Sequence, residues 1–164
     1  MARDRILPEY ERVLADTELR AAILDARSIS LAQAASAPLG LGTMALLVVG
    51  GTRTTLLVVQ QGRPRFWRIL ADGRGAWTGA DRARMLREVA DSITFCQQSE
   101  GVGPVEGVIL GGLGPQTAEM ASTLEQWLAV PVTALDLCAA LHAEGHPDDL
   151  AHWGPAIGAA IRSC

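Results

Sequence analysis

The sequence predicts an α/β fold: a mixed sheet of about five strands, in the order β-β-β-α-β-α-β-α, with helices on both faces. Three observations carry this expectation. Met44–Gly50 and Thr54–Gln60 are neighbouring runs of almost unbroken apolar residues, the pattern of strands covered on both sides. A third run, Pro64–Leu70, returns across the compact turn Gln61-Gly62-Arg63, as hairpin-linked strands do. From Thr78 onward, helical spacing alternates with short apolar runs, and that alternation lays helices onto a sheet.

Composition sets the limits. The chain has 164 residues, 49% apolar and 20% charged, enough for one domain with a sizeable core. Aromatics are only 4%, so the core must rest on Leu, Val, Ile and Ala. A net charge of -4 argues against a general nucleic-acid binder, which is usually basic. Cys96, Cys138 and Cys164 are widely spaced and form neither a disulfide framework nor a zinc knuckle. A reducing cytoplasm is the simplest setting. No apolar segment behind Met1 resembles a signal peptide, and the apolar runs are too short to cross a bilayer as helices.

In chain order, Pro8–Asp16 reads as a short helix, with Tyr10, Val13 and Leu14 on one face. Ala21–Ala26 reads as a short strand or a link. Ser28 or Ser30 starts a second helix through Ala35. Ala37-Pro38-Leu39-Gly40-Leu41-Gly42 breaks the chain, so residues 1–40 are expected as a helical lead-in and 41–164 as the α/β domain. The third strand is mixed in character and suits a sheet edge. Thr78-x-x-Asp81 reads as a capping box for a long helix to Ser99, with Leu86, Val89, Ile93 and Cys96 at helical spacing. Val105–Leu110 is the next strand, closed by Gly111-Gly112-Leu113-Gly114. Pro115 opens a helix whose buried face is Met120, Ala121, Leu124, Trp127 and Leu128. Val130–Leu135 is the last strand. Leu137–Ala143 and Trp153–Arg162 read as helices.

The stretch with chemical interest is the turn between the first two strands, Gly50-Gly51-Thr52-Arg53. Glycine N–H groups and hydroxyls can cradle phosphate, and a glycine-rich turn before a helix, as at Gly111-Gly112, can hold an anion. Yet no Asp or Glu lies between Met44 and Val59. A Mg-nucleotide needs a carboxylate, because Mg²⁺ is a hard ion that takes oxygen ligands. The plainer reading of both glycine pairs is that they make turns.

Three hairpin-linked strands followed by alternating helix and strand is the ribonuclease-H-like arrangement, shared by nucleases and by each half of actin-like ATPases. The nucleases place an Asp on the first strand, and Met44–Gly50 has none. The motifs resemble more specifically the C-terminal half of the PilM family of type IV pilus assembly proteins, related to the type II secretion L protein. That family carries Leu-Val-Asp-Ile-Gly-Ala-x-x-Thr-Thr; here the run is Leu47-Val48-Val49-Gly50-Gly51-Thr52-Arg53-Thr54-Thr55. Arg68-Ile69 before Gly73, Glu88 in the long helix, Ile109-Leu110-Gly111-Gly112 and Val130-Pro131-Val132 fall in the family's order. So does the closing run Ile157-Gly158-Ala159-Ala160-Ile161-Arg162. Two departures stand out: Val49 replaces the Asp of the phosphate motif, and the family's first half is missing from this sequence.

The resemblance implies a non-catalytic, actin-like scaffold for a pilus or secretion inner-membrane platform. Its expected partners are a PilN-like inner-membrane protein or an assembly ATPase, and homo-oligomers are open. No nucleic acid is expected, and membrane contact comes only through partners. The implied location is the cytoplasm, peripheral at the inner membrane. No cofactor is expected. A residual ATP site, if retained, would use Gly50, Gly51, Thr54, Thr55, Gly111 and Gly112. The alternative is the nucleotide-binding half of an actin-like ATPase or sugar kinase.

Other features have plainer readings. His142, His146, Asp148, Asp149 and His152 resemble a metal cluster on paper, but Gly145 and Pro147 break the helix that an i,i+4 histidine pair needs, so a solvated loop is expected. Arg82, Arg84 and Arg87, among acids, read as a wet helix face. Arg63, Arg65 and Arg68 read as charges that blunt an edge strand. Ser92 and Ser99 have no His or Asp at a nucleophile spacing. Of the four tryptophans, Trp77, placed in a loop, is the one expected as a contact residue.

Overall fold

The computed structural model describes residues 8–9, 12–13, 27–99, 101–142 and 155–160. Helix α1 spans Arg27–Ala34 and α2 Ser36–Leu39; strands β1 (Thr43–Val49), β2 (Thr54–Gln60) and β3 (Arg63–Leu70) follow. Then come α3 (Arg74–Thr78), α4 (Arg82–Ser99), β4 (Gly107–Gly111), a 3-10 turn (Gly114–Gln116), α5 (Thr117–Leu128), β5 (Val132–Ala134) and α6 (Leu137–Leu141). Residues 8–9, 12–13 and 155–160 are also helical. The expected link at Ala21–Ala26 and the loop at 145–149 lie outside the described residues.

Among the described residues the sheet has five strands, in the order β3-β2-β1-β4-β5. β1 pairs antiparallel with β2, and β2 with β3, while β4 lies parallel to β1 and β5 parallel to β4. This is the mixed sheet expected from three hairpin-linked strands and two crossovers. The β2–β3 hairpin closes over Gln61 and Gly62, both at positive φ (52° and 72°), the turn conformation that matches strand twist.

Alternation along β1 sorts its side chains onto two faces. Ala45, Leu47 and Val49 join Leu56, Val58, Val108, Leu110 and Val132 in one buried cluster under α4 and α5. Leu46 joins Leu57, Val59 and Ile109 in a second cluster, closed by Leu31, Ala34, Ala35 and Leu39 of the α1–α2 segment and by Leu137. An unbroken apolar strand is thus the sum of two interleaved faces, both covered. Residues 155–160 pack against α1 closely enough that a Cβ on Gly158 would overlap the Ser30 carbonyl. That contact explains the glycine at 158.

Three expectations need correction. The long helix begins at Arg82, not Thr78. Thr78 donates its hydroxyl to the Arg74 carbonyl, so the capping box does not form, and a separate short helix holds residues 74–78. Trp77 is therefore not in a loop; it is fully buried in the first cluster. Trp127, expected on the buried face of α5, is 48% exposed, whereas Met120, Ala121 and Leu124 are buried.

Candidate functional site

The two glycine turns foreseen in the sequence end neighbouring strands. β1 and β4 lie parallel and side by side, so the residues that follow them, Gly50-Gly51 and Gly112, emerge at the same end of the sheet. Gly112 adopts φ +93°, and a Cβ there would collide with the carbonyl of Val49. The turn after β4 therefore rests directly on the end of β1, which only glycine permits.

Between them lies the segment Asp72-Gly73-Arg74. A Cβ on Gly73 would come within 2.5 Å of Gly50 O and of Gly51 C and O, so this backbone is pressed against the β1–β2 turn. The Arg74 amide donates to Gly50 O at 2.8 Å. The Arg74 guanidinium donates to Gly112 O from Nη2 at 2.8 Å and from Nε at 3.2 Å. One residue thus ties both glycine turns together. Asp72 is fixed at both ends: its carbonyl accepts from the Thr54 hydroxyl at 2.8 Å, and its carboxylate pairs with Arg84 at 3.1 Å. Arg84 also pairs with Glu88 and Asp81. The bonds to Glu88 first, then to Asp72, raise its pKa.

Each site residue foreseen from the sequence now has a place. The Gly50 amide donates to Arg53 O at 2.8 Å, closing the turn. Gly51 is exposed and borders Gly73. Thr54 is fully buried. Its hydroxyl donates to Asp72 O and accepts from the Trp77 indole N–H at 2.8 Å, which leaves it no route to a ligand. Thr55, next along the strand, belongs to the opposite face by alternation, so the two threonines do not face one site. Gly111 is buried in β4, and its missing Cβ makes room for the Leu135 side chain. Gly50, Gly51, Gly111 and Gly112 are brought together; Thr54 lies beneath them and Thr55 on the other side.

Val49 is 1% exposed and belongs to the first cluster. β1 therefore supplies no carboxylate to this end of the sheet, and the carboxylate of the inserted segment, Asp72, is held by Arg84. A Mg-nucleotide needs an oxygen ligand for its metal, and the end of β1 offers none. Of the residues that organise the place, Arg74 was not foreseen in the sequence, and Trp77 was singled out there as an exposed loop contact and not as the buried partner of Thr54. The only available signal was the compact Asp72-Gly73-Arg74-Gly75 run, which reads as a loop.

Of the paper metal cluster, His142 caps α6 with φ 51°; His146, Asp148, Asp149 and His152 lie outside the described residues. A cavity of about 270 Å³ opens at the other end of the sheet, between α4 and α5, lined by residues including Ile93, Thr94, Gln97, Trp127 and Leu128. It has no ionisable lining group.

Comparison with known proteins agrees with this geometry at the level of the fold. No protein-family model matches the chain, and no curated protein matches it. Among solved structures the chain has the actin-like fold. It is similar to a protein in the "PilM-PilN type IV pilus biogenesis complex", with a TM-score of 0.74 at 19% identity, covering 98% of this chain and 58% of that one. The ethanolamine utilization protein EutJ from Carboxydothermus hydrogenoformans is similar at TM-score 0.53 and 15% identity, over 95% of this chain and 62% of that one. The archaeal actin homolog Ta0583 is similar at TM-score 0.53 and 14% identity, over 87% and 56%. The chain spans less than two thirds of each of these three. No helix among the described residues is long and apolar enough to cross a membrane.

Proposed function

We propose that the chain is a non-catalytic, actin-like scaffold that helps assemble a type IV pilus or type II secretion inner-membrane platform. The observation that carries the absence of catalysis is Val49. It is buried in the core at the position where the phosphate motif would place its acid. The self-contained bonding of the 72–74 segment supports the same reading. The assembly role rests on likeness of fold to the protein of the pilus complex and on the order of motifs in the sequence.

In this reading the chain needs no cofactor, meets the membrane through partners, and binds a PilN-like membrane protein or an assembly ATPase. The test is co-purification of the 164-residue chain with the cytoplasmic segment of a PilN-like protein from the same genome. Retention of that segment through gel filtration is expected. Clean separation of the two, together with separation from the assembly ATPase, would overturn the role.

One observation favours a second reading, the nucleotide-binding half of an actin-like ATPase or sugar kinase. The two glycine turns do converge at one end of the sheet, where an anion could lie if the 72–74 segment moved. Calorimetry with Mg-ATP separates the two readings.

A further inference from the structure

We propose that β3 is a docking edge for an extended, acidic segment of a partner protein, with Trp67 and Ile69 as its apolar anchors. This does not depend on the pilus reading; it stands on the strand alone. Among the described residues β3 is the sheet's outer strand, paired only with β2. Seven of its eight residues are exposed or half-buried, Leu70 being the exception. On a sheet whose other long strands are covered on both faces, that is a local reversal.

The exposed side chains are not those of a merely blunted edge. Trp67 is 49% exposed and Ile69 46%; two residues apart, they share one face of the strand. Phe66 turns to the other face, packing on the first cluster and against Phe95 with ring centroids 6.2 Å apart. Arg68 also turns that way and donates to Ser92 Oγ at 2.9 Å. The register shift between Val58 and Val59 leaves Arg65 as the extra, bulged residue. Bulge and Pro64 together protect the N-terminal half of the edge, while Phe66–Leu70 keeps a regular ladder with β2 and an outer edge for pairing.

Charge identifies the occupant. The chain carries -4 overall, yet from Leu41 to Ala71 it has Arg53, Arg63, Arg65 and Arg68 and no Asp or Glu. The ion pairs found among the described residues are made by Arg82 and Arg84, not by the β3 arginines. Arginine and tryptophan are both enriched among the residues that carry the binding energy of interfaces. A strand added to a sheet edge gains main-chain hydrogen bonds, and alternate side chains supply the specificity. An acidic strand with apolar residues at every second position satisfies Arg63 and Arg65 and covers Trp67 and Ile69.

The test uses synthetic peptides of about ten residues, one alternating Glu and Val, one alternating Lys and Val. Each is titrated into the ¹⁵N-labelled 164-residue chain. The Glu-Val peptide is expected to shift the amides of β3 and β2 and to bind more weakly as salt rises. Arg65→Glu and Trp67→Ala are each expected to weaken it by about tenfold or more. Both positions are exposed, so both variants should melt as the unmodified chain does. Three results would overturn the proposal: no shifts at about 1 mM peptide, equal binding of the Lys-Val peptide, or shifts centred away from β3. Self-association of the chain through β3, seen as concentration-dependent shifts at the same amides without peptide, would also overturn it, because the occupant would then be a second copy.

Discussion

The guanidinium of Arg74 forks onto the carbonyl oxygen of Gly112, with Nη2 at 2.8 Å and Nε at 3.2 Å. Its own backbone amide holds Gly50. A single residue therefore joins the ends of β1 and β4, two strands that are already neighbours. Segment 72–74 thus bears on both turns, Gly73 against Gly50 and Gly51 and Arg74 on Gly112.

Arg74→Ala should loosen that junction without unfolding it. The bond is exposed, so the expected loss is about 0.5–1 kcal/mol, or a few degrees in Tm. Hydrogen exchange should quicken at residues 111–114 and 50–53. Arg74→Lys should restore little, because an ammonium cannot reproduce a planar fork. Unchanged exchange in Arg74→Ala would show that the fork holds nothing.

The Thr54–Trp77 bond should matter more, because it is buried. Thr54→Val leaves the indole N–H and the Asp72 carbonyl without their partner, a cost of about 1–3 kcal/mol. Thr54→Ser should keep most of the stability. In a double-mutant cycle with Trp77→Phe, the pair should show coupling of about 0.5 kcal/mol or more. Strict additivity would contradict the bond.

The glycine contacts give a steric test. Gly112→Ala forces a side chain toward Val49 O at φ +93° and should cost about 2 kcal/mol or more. Gly75→Ala, in α3 with nothing within 4 Å of the added methyl, should be neutral or stabilising by about 0.5 kcal/mol. Urea midpoints of the two variants check the contrast.

Val49→Asp should destabilise the chain by about 3 kcal/mol or more. Burial raises the carboxyl pKa in the folded state above its unfolded value. The variant is therefore least destabilised below about pH 4, where the acid is neutral in both states, and loses stability as pH rises from there. Equal destabilisation at pH 4 and pH 7 would mean that the carboxylate reaches solvent. No ATP turnover is expected from this variant.

Much of this fold was legible in the sequence because it follows from patterns within single elements. The apolar runs of β1 and β2 announced a sheet covered on both faces, and the arginines and mixed character of Pro64–Leu70 announced its edge. The glycine pairs marked the ends of β1 and β4. What the sequence hid depends on distant partners. Trp77 looks like a loop residue until Thr54, earlier in the chain, offers its hydroxyl. Arg74 looks like one more exposed arginine until the parallel pairing of β1 and β4 brings Gly112 beside Gly50. Trp127 lies on the apolar stripe of its helix, yet α5 outlasts the sheet beneath it: β5 runs only from Val132 to Ala134, and the indole lines an open cavity instead. Thr54 and Thr55 resembled a pair of phosphate ligands as letters, but strand alternation sends them to opposite faces.

The central claim is that the converging glycine turns serve structure and not nucleotide chemistry. Isothermal calorimetry of the 164-residue chain with Mg-ATP, followed by an assay for released phosphate, tests it most directly. No saturable heat up to about 1 mM nucleotide and no phosphate release are predicted. Saturable binding accompanied by hydrolysis would contradict the account.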